Sequence, residues 1–589
     1  MKIKFPVFIL IISVLFQNLV FSNTVQYLSP MPGSKYNSEQ TNILIGFSNQ
    51  LSANAFKSIT LKVEGLLSGL HSGNLLSVSN NTRVIYETDE PFELGEKVTV
   101  SGYDGKNKFS FYIRNEKISF SYFIRNELNY PKNDDRSSNY GYTPYRFSTD
   151  SLPNLIIINN GPTAPGYIFI LNFANNSSIT SYCMILNNNG TPKYSRLLGG
   201  NGFDFKKQNS HLLTYYDEIH QKYLGLNDNY VVVDSFSCGN GYNTDFHELR
   251  VLGDGSSWLM SYDPQYIDMS KIVPGGNVHT LVTGLIVQHI NAQKNVIFQW
   301  RSWDHFQITD ATHENLLASN IDYVHGNAIE IDTDSNIIIS SRHMDEITKI
   351  NSTTGDIIWR LGGKNNQFVF SNDSIGFSHQ HCIRRLENQN LLLFDNGNYH
   401  TPAFSRAIEY QINETNKTVN LVWQYIRTPS IYASAMGSVQ RLSNGNTLIG
   451  WGSASPTLTE VTPEGNIAYE LLLPSGQMSY RAFRFEWQDN VTDVHQKINL
   501  IPSKYCLYQN FPNPFNPITN IRYDITKNGF VKLMVFDMLG REIETLVNEK
   551  QSTGTYEATF DASNYPSGVY FYRLTTDGFN ETKKMVLIK

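Results

Sequence analysis

Four turn-centred segments in the middle of the chain can be laid over one another, and this repeat limits the fold more than any other feature. They are Leu252–Leu259, Ile331–Ile338, Leu386–Leu393 and Leu442–Ile449, each an apolar run, an Asp/Asn/Gly turn and a second apolar run. The turn residues Asn336, Asn390 and Asn446 lie 54 and 56 positions apart. A second pair of strands follows each segment and closes on an aromatic, at Trp300, Trp359, Trp423 and Tyr469. Four antiparallel strands repeated every ~40–60 residues are the sequence mark of a β-propeller blade. With less regular copies around Tyr194 and from Tyr230 to Ser237, residues 148–490 are predicted to form a six-bladed propeller.

The chain has 589 residues, room for three or four domains at ~150 residues each. Short β-rich runs such as Ile43–Phe47 and Lys97–Val100 alternate with Gly, Asn and Ser turns over residues 24–127, which predicts an N-terminal β-sandwich. A polar stretch, Lys132–Asn139, reads as a linker, and residues 503–589 form a further β module. The expected fold class is therefore all-β, a six-bladed propeller flanked by two β-sandwiches. Lys2 and Lys4 precede an apolar run, Phe5–Val20, and small Ser22, so residues 1–22 are expected to be an export signal.

Charged residues make up 17% and aromatics 13%, the reverse of a disordered composition. Lys+Arg 47 against Asp+Glu 53 gives a net charge of -6, which argues against a nucleic-acid partner. Cys183, Cys238, Cys382 and Cys506 contain no CxxC pair, which excludes a zinc ribbon and leaves one or two disulfides open.

Antiparallel alternation puts the start of a blade's first strand and the end of its second at the same end of the sheet. Phe246-His247-Glu248, Val324-His325-Gly326-Asn327 and Gln380-His381-Cys382 stand just before three first strands, with Gly437 at the same place in the next copy. The ends of second strands carry Ser341-Arg342-His343 and Asp395-Asn396-Gly397. Arg360 ends a fourth strand and Arg406 starts a third, which brings both to the same mouth. Imidazoles and guanidinium groups with few carboxylates suit an oxyanion such as sulfate or phosphate better than a hard cation. Three histidines would also satisfy zinc, so metal binding stays open at this point. The aromatics Phe377, Tyr399, Phe404 and Tyr432 are left between blade packing and an aryl-ring site.

Two resemblances sharpen this. The module containing Tyr508–Pro517, Val535–Glu542, Tyr565–Phe571 and Lys583–Lys589 resembles the C-terminal sorting domain of type IX secretion. That implies the type IX machinery as a partner, and a secreted or cell-surface location reached through the periplasm and outer membrane. Residues 30–490 resemble the bacterial arylsulfotransferases, carried by Phe246–Leu249, Asp322–Ile329, Ser340–His343, Ile357–Gly362, His379–His381 and Leu393–Gly397. The resemblance implies ping-pong transfer of a sulfuryl group from an aryl sulfate donor to a phenolic acceptor, with neither cofactor nor metal.

By the same resemblance His381 matches the transient sulfate acceptor, and His247, His343 and Arg360 match residues that hold sulfuryl oxygens and handle protons. His325, Asn327, Asn396 and Arg406 are expected to bind substrate. Where the family pattern has asparagine two residues after His343, this chain has Asp345, a carboxylate that either repels sulfate or orients His343. His379 competes with His381 for the nucleophile's role. The alternatives on the same propeller are a sulfatase, a metal-dependent hydrolase or lyase, and a non-catalytic surface adhesin for sulfated glycans.

Overall fold

The repeated turns share one geometry, and it accounts for the residues that repeat. Leu252, Asp332, Leu386 and Leu442 each donate their backbone N–H to the carbonyl four residues on, at 2.8–2.9 Å. The fourth turn residue has positive φ in every copy: Gly255, Ser335, Gln389 and Gly445. This is a type I turn followed by a left-handed bulge residue, a common hairpin connection. The third residue, Asp254, Asp334, Asn388 or Asn444, accepts the backbone N–H two positions later at 2.9–3.1 Å. Only a short side chain with an oxygen can do this, so the recurring Asp/Asn is fixed by the turn rather than by chemistry.

A computed structural model of the chain describes residues 24–103, 107–118, 152–174, 181–488, 505–510, 513–551 and 554–589. The proposed signal at 1–22, the linker at 132–139 and the edges of the predicted modules near 119–151 and 489–504 lie outside these residues. Among the described residues no helix is long and apolar enough to cross a membrane.

Among the described residues between Ile156 and Phe485 there are six sheets, each with a four-stranded antiparallel core, in a propeller. Their inner strands are Gly202–Lys207, Leu249–Val251, Gly326–Ile331, His381–Arg385 and Ser438–Arg441, with Ala482–Phe485 for the first sheet. Ala482–Phe485 pairs with Tyr167–Asn172, so the end of the region completes the sheet formed by its beginning. Reciprocally, Ile156–Asn159 adds an outer strand to the last sheet beside Ile467–Leu472. Two such exchanges close the ring through backbone hydrogen bonds. Of the closing aromatics, Trp300, Trp359 and Tyr469 are buried in the packing between sheets, while Trp423 lies half-buried under the Arg441 guanidinium. Cys183, Cys238 and Cys382 carry free thiols.

Val25–Ser29, Ile43–Phe47, Arg83–Thr88 and Gly73–Val78 form one N-terminal sheet, and Gly69–His71, Lys62–Gly65, Lys97–Ser101 and Lys108–Tyr112 the other. Ile43, Ile45, Val63, Val84, Val98, Val100 and Phe111 fill the space between them. This sandwich is fastened to the third propeller sheet. The Tyr27 hydroxyl donates to the Gln299 carbonyl and accepts the Gln299 N–H. Buried Arg301 donates to Asn37 Oδ1 at 2.5 Å and to the Lys35 and Tyr36 carbonyls at 2.7 and 3.0 Å. The C-terminal module pairs a three-stranded with a four-stranded sheet around Ile521, Tyr523, Val531, Leu533, Tyr572 and Leu574.

Removing one partner of a buried, multiply bonded charge costs about 3–5 kcal/mol. Arg301→Ala is expected to lower the free energy of the first unfolding transition in urea by that amount, read by tryptophan fluorescence. A loss under about 1 kcal/mol, the scale of an exposed ion pair, would mean that the sandwich is not held to the propeller there.

Candidate active site

Three inner strands start on a histidine: His247 two residues before Leu249, His325 immediately before Gly326, and His381 as first residue of its strand. In the sixth sheet Gly437 has a φ of +111°, and a Cβ there would come within 2.4 Å of the Phe394 ring. No histidine fits at that register. His343 joins the set from the turn that ends the second strand Ile337–Ser341.

The rings form a line across the mouth. Centroids are 5.2 Å apart for His247 and His325, 4.5 Å for His325 and His343, and 5.5 Å for His343 and His379. His379, the other candidate nucleophile, lies two residues before His381. Its ring is buried, and neither nitrogen has a hydrogen-bond partner.

Neighbours fix the tautomers. His381 Nδ1 faces Asn396 Oδ1 at 2.7 Å and the His379 carbonyl at 3.1 Å. Both are acceptors, because the Asn396 amide nitrogen is committed to the Ala433 and Met436 carbonyls at 2.8 and 3.0 Å. The proton therefore sits on Nδ1, and Nε2 keeps its lone pair. Burial, with Arg342 nearby, holds the His381 pKa well below the usual histidine value, so the ring is neutral at physiological pH.

His343 accepts from Arg342 Nη1 at Nε2 and donates from Nδ1 to the Asp322 carbonyl, both at 2.5 Å. Burial and His325 keep it neutral as well. Asp322 also receives His325 Nδ1 at 2.8 Å, and Asp245 receives His247 Nδ1 at 2.7 Å. Each carboxylate holds its histidine in a defined orientation.

The guanidinium against His343 is that of Arg342, where the sequence predicts Arg360 for the role. Arg360 is held by Glu346 at 2.7 Å and Asp310 at 3.1 Å, and lies over the Phe306 ring. Arg406 is buried against Asp395 and Asp373, each at 2.8 Å. Both reach the segment that carries His379 and His381 through other residues. The Glu346 carbonyl accepts from Gln380 Nε2 at 3.1 Å, and Asp395 accepts the Ser378 and Gly397 N–H groups at 3.0 Å. Asn327 donates to the Gln380 carbonyl at 2.8 Å, so it too secures the segment that carries His379 and His381.

Asp345 does not face His343 as a partner. It accepts the His379 backbone N–H at 2.7 Å and pairs with His313 Nε2 at 3.0 Å. Its φ of +48° suits Asp as well as Asn, the two side chains most often found in that conformation. His313 stacks on Tyr399 with centroids 3.4 Å apart. It arrives on the connection between the third and fourth sheets, outside the repeat, where no periodic signal marks it. Thr312 anchors this connection to the His343 carbonyl at 2.9 and 3.0 Å. Of the other aromatics left open, Phe377 is core packing beside Phe370 and Tyr410.

Asp322, His325 and His343 bring three ligand atoms within 4.8 Å of one another, enough in number for zinc. Both His343 nitrogens are already engaged, and the Arg342 charge at Nε2 opposes a cation. The donor set suits an anion better.

Beside it, Glu314 has its pKa pushed up to about 7 by burial and by the neighbouring Asp322 and Asp345. A carboxyl raised above its unfolded value of ~4.3 stabilises the fold below that pH, and this stabilisation is lost as pH climbs toward 7. Glu314→Gln should therefore match the wild-type melting temperature near pH 4 and exceed it at pH 8. Parallel melting curves across that range would contradict the shift.

A family model described as arylsulfotransferase (ASST) matches residues 171–484, and one described as a secretion system C-terminal sorting domain matches residues 509–589. No curated protein matches the chain. Among solved structures, a protein of unknown function from Bacteroides caccae is 12% identical, with 54% of this chain and 98% of that one covered at a TM-score of 0.34. Virginiamycin B lyase from Staphylococcus aureus, solved with quinupristin, is 9% identical over 54% and 88% at 0.30. PorZ of Porphyromonas gingivalis, a surface component of type IX secretion, is 10% identical over 94% and 70% at 0.28. Likenesses this distant carry no information about activity.

Proposed function

The chain belongs to the arylsulfotransferase family, and on that premise we propose that it moves a sulfuryl group from an aryl sulfate to a phenolic acceptor through a sulfohistidine at His381. Residues 509–589 are a type IX sorting domain, which directs the protein to the cell surface or the extracellular space.

One observation carries the proposal. His381 is a neutral imidazole whose proton is pinned on Nδ1 by Asn396, which leaves Nε2 as a nucleophile beside a guanidinium. In the first half-reaction Nε2 attacks sulfur, the N–S bond forms, and the S–O bond to the aryl group breaks. The electron pair leaves on the phenolate oxygen. Asp245 stabilises a protonated His247, which gives that oxygen its proton. In the second half, His247 takes the acceptor's proton while the acceptor oxygen attacks sulfur and His381 departs as neutral imidazole. Arg342 holds the sulfuryl oxygens, and His343, which accepts from Arg342 Nη1, orients that guanidinium, with His325 next to it. Arg360, Arg406, Asn327 and Asn396 are positioning residues in this scheme. The Asp345 carboxylate, engaged by His313 and the His379 N–H, presents less charge to a sulfate than an unpaired one would.

The test is release of nitrophenolate from 4-nitrophenyl sulfate with and without added phenol. Release that depends on phenol is expected, with loss of at least 10³-fold in His381→Ala and retained folding by circular dichroism. Equal release in both tubes would make the protein a sulfatase, and loss of activity to a chelator would make it a metalloenzyme. Asn396→Ala frees the Nδ1 proton to move to Nε2, so it should lower kcat about 10–100-fold and leave KM nearly unchanged.

A further inference from the structure

The end of the propeller opposite the histidines holds a cavity. Each inner strand starts at the histidine mouth, and the last residues of five of them surround a space of about 220 Å³. Five cations line it: Lys206 and Lys207 from the second sheet, Arg250 from the third, Arg384 from the fifth and Arg441 from the sixth. No lining residue is acidic.

The carboxylates that compensate this charge lie behind the lining. Arg250 meets Glu330 at 2.9 Å, Arg384 meets Glu248 at 2.9 Å, and Arg441 meets Glu409 at 2.5 Å. Lys206 is held by Glu248 and, at 2.6 Å, by Asp204. Among the described residues Lys207 donates to the Glu486 carbonyl, at 3.1 Å, and pairs with no carboxylate. With buried Arg481, which also binds Asp204 and Glu248, six cations stand against four carboxylates. The acids occupy the rear and fix the cations in place, and the surplus positive charge faces the cavity.

The rest of the wall is apolar, with Leu386, Val439, Phe483 and Phe485. A dry cavity of roughly 150 Å³ is enough to take benzene, so this one has room for a single ring and an anionic group. A bare inorganic anion would satisfy the charge but leave the apolar wall wet.

We propose that this cavity is a binding site for a small aromatic anion, one ring bearing a sulfonate, sulfate or carboxylate, separate from the histidine mouth. The ring lies on Phe483 and Phe485, and the anionic group is bound by Lys207 and the guanidinium groups of Arg250, Arg384 and Arg441.

Benzenesulfonate is the probe, because its sulfur is bonded to carbon and it cannot donate a sulfuryl group. Calorimetric titration of the exported chain is expected to show a saturable event that weakens at least tenfold in the double variant Lys207→Gln/Arg441→Gln. Leu386→Trp fills the cavity without removing a charge and should abolish the same event. Both variants should keep wild-type turnover of 4-nitrophenyl sulfate, which also reports that they are folded. Inorganic sulfate should displace the probe only at tenfold or higher concentration. Absence of saturable binding, or binding unchanged in both variants, would overturn the proposal whatever the outcome of the sulfotransferase assay.

Discussion

The Arg481 guanidinium is the tie on which the centre of the propeller depends. It precedes the strand that closes the first sheet, and it donates to Asp204 of the second sheet, to Glu248 beside the third and to the Asn327 carbonyl of the fourth, at 3.0, 2.9 and 2.6 Å. Arg384 of the fifth sheet joins through Glu248. A charge buried this deeply is costly unless it is paired, and its partners come from three different sheets, so the network is stable only when the sheets stand in one arrangement. Burial works against the Glu248 charge, yet Arg384, Arg481 and Lys206 together hold its carboxyl well below the usual range. The group that completes the ring therefore also fixes the inner-strand ends that present the histidines on one side and the cationic cavity on the other.

Above this network the mouth gathers His325, His343 and His381, which desolvation keeps neutral. Burial is the largest influence at His325, His343 and His381, and Arg342 adds to it at all three. A neutral histidine is a nucleophile and a protonated one is not, so dryness and a nearby guanidinium prepare the same state. Carboxylates touch the cluster mainly where they orient a ring, as Asp245 and Asp322 do. Asp345 fits this pattern once His313 is seen against it, because the carboxylate is paired with an imidazole.

Much of this was legible in the sequence. The Asp/Asn turns gave away the sheets because their hydrogen bonds are local, closing within five residues. The shared register of His247, His325 and His381 gave away the mouth, since antiparallel alternation carries that register to one end of every sheet. Arg360 was attractive for the same reason, being near a strand end at the expected side. Its commitment to Glu346 and Asp310 joins segments up to 50 residues apart and leaves no periodic trace. His313 was invisible because its connection lies outside the repeat.

The sequence by itself determined the kind of fold, the end of the propeller that carries histidines, and the sorting module, because turn chemistry, strand alternation and contiguous motifs are all local. Tertiary structure decided which guanidinium faces the imidazoles, which nitrogen of His381 keeps its lone pair and what Asp345 pairs with. Those outcomes turn on partners brought from other sheets and loops. A charge or tautomer is set by whatever lies within about 3 Å of it, and chain order does not record that distance.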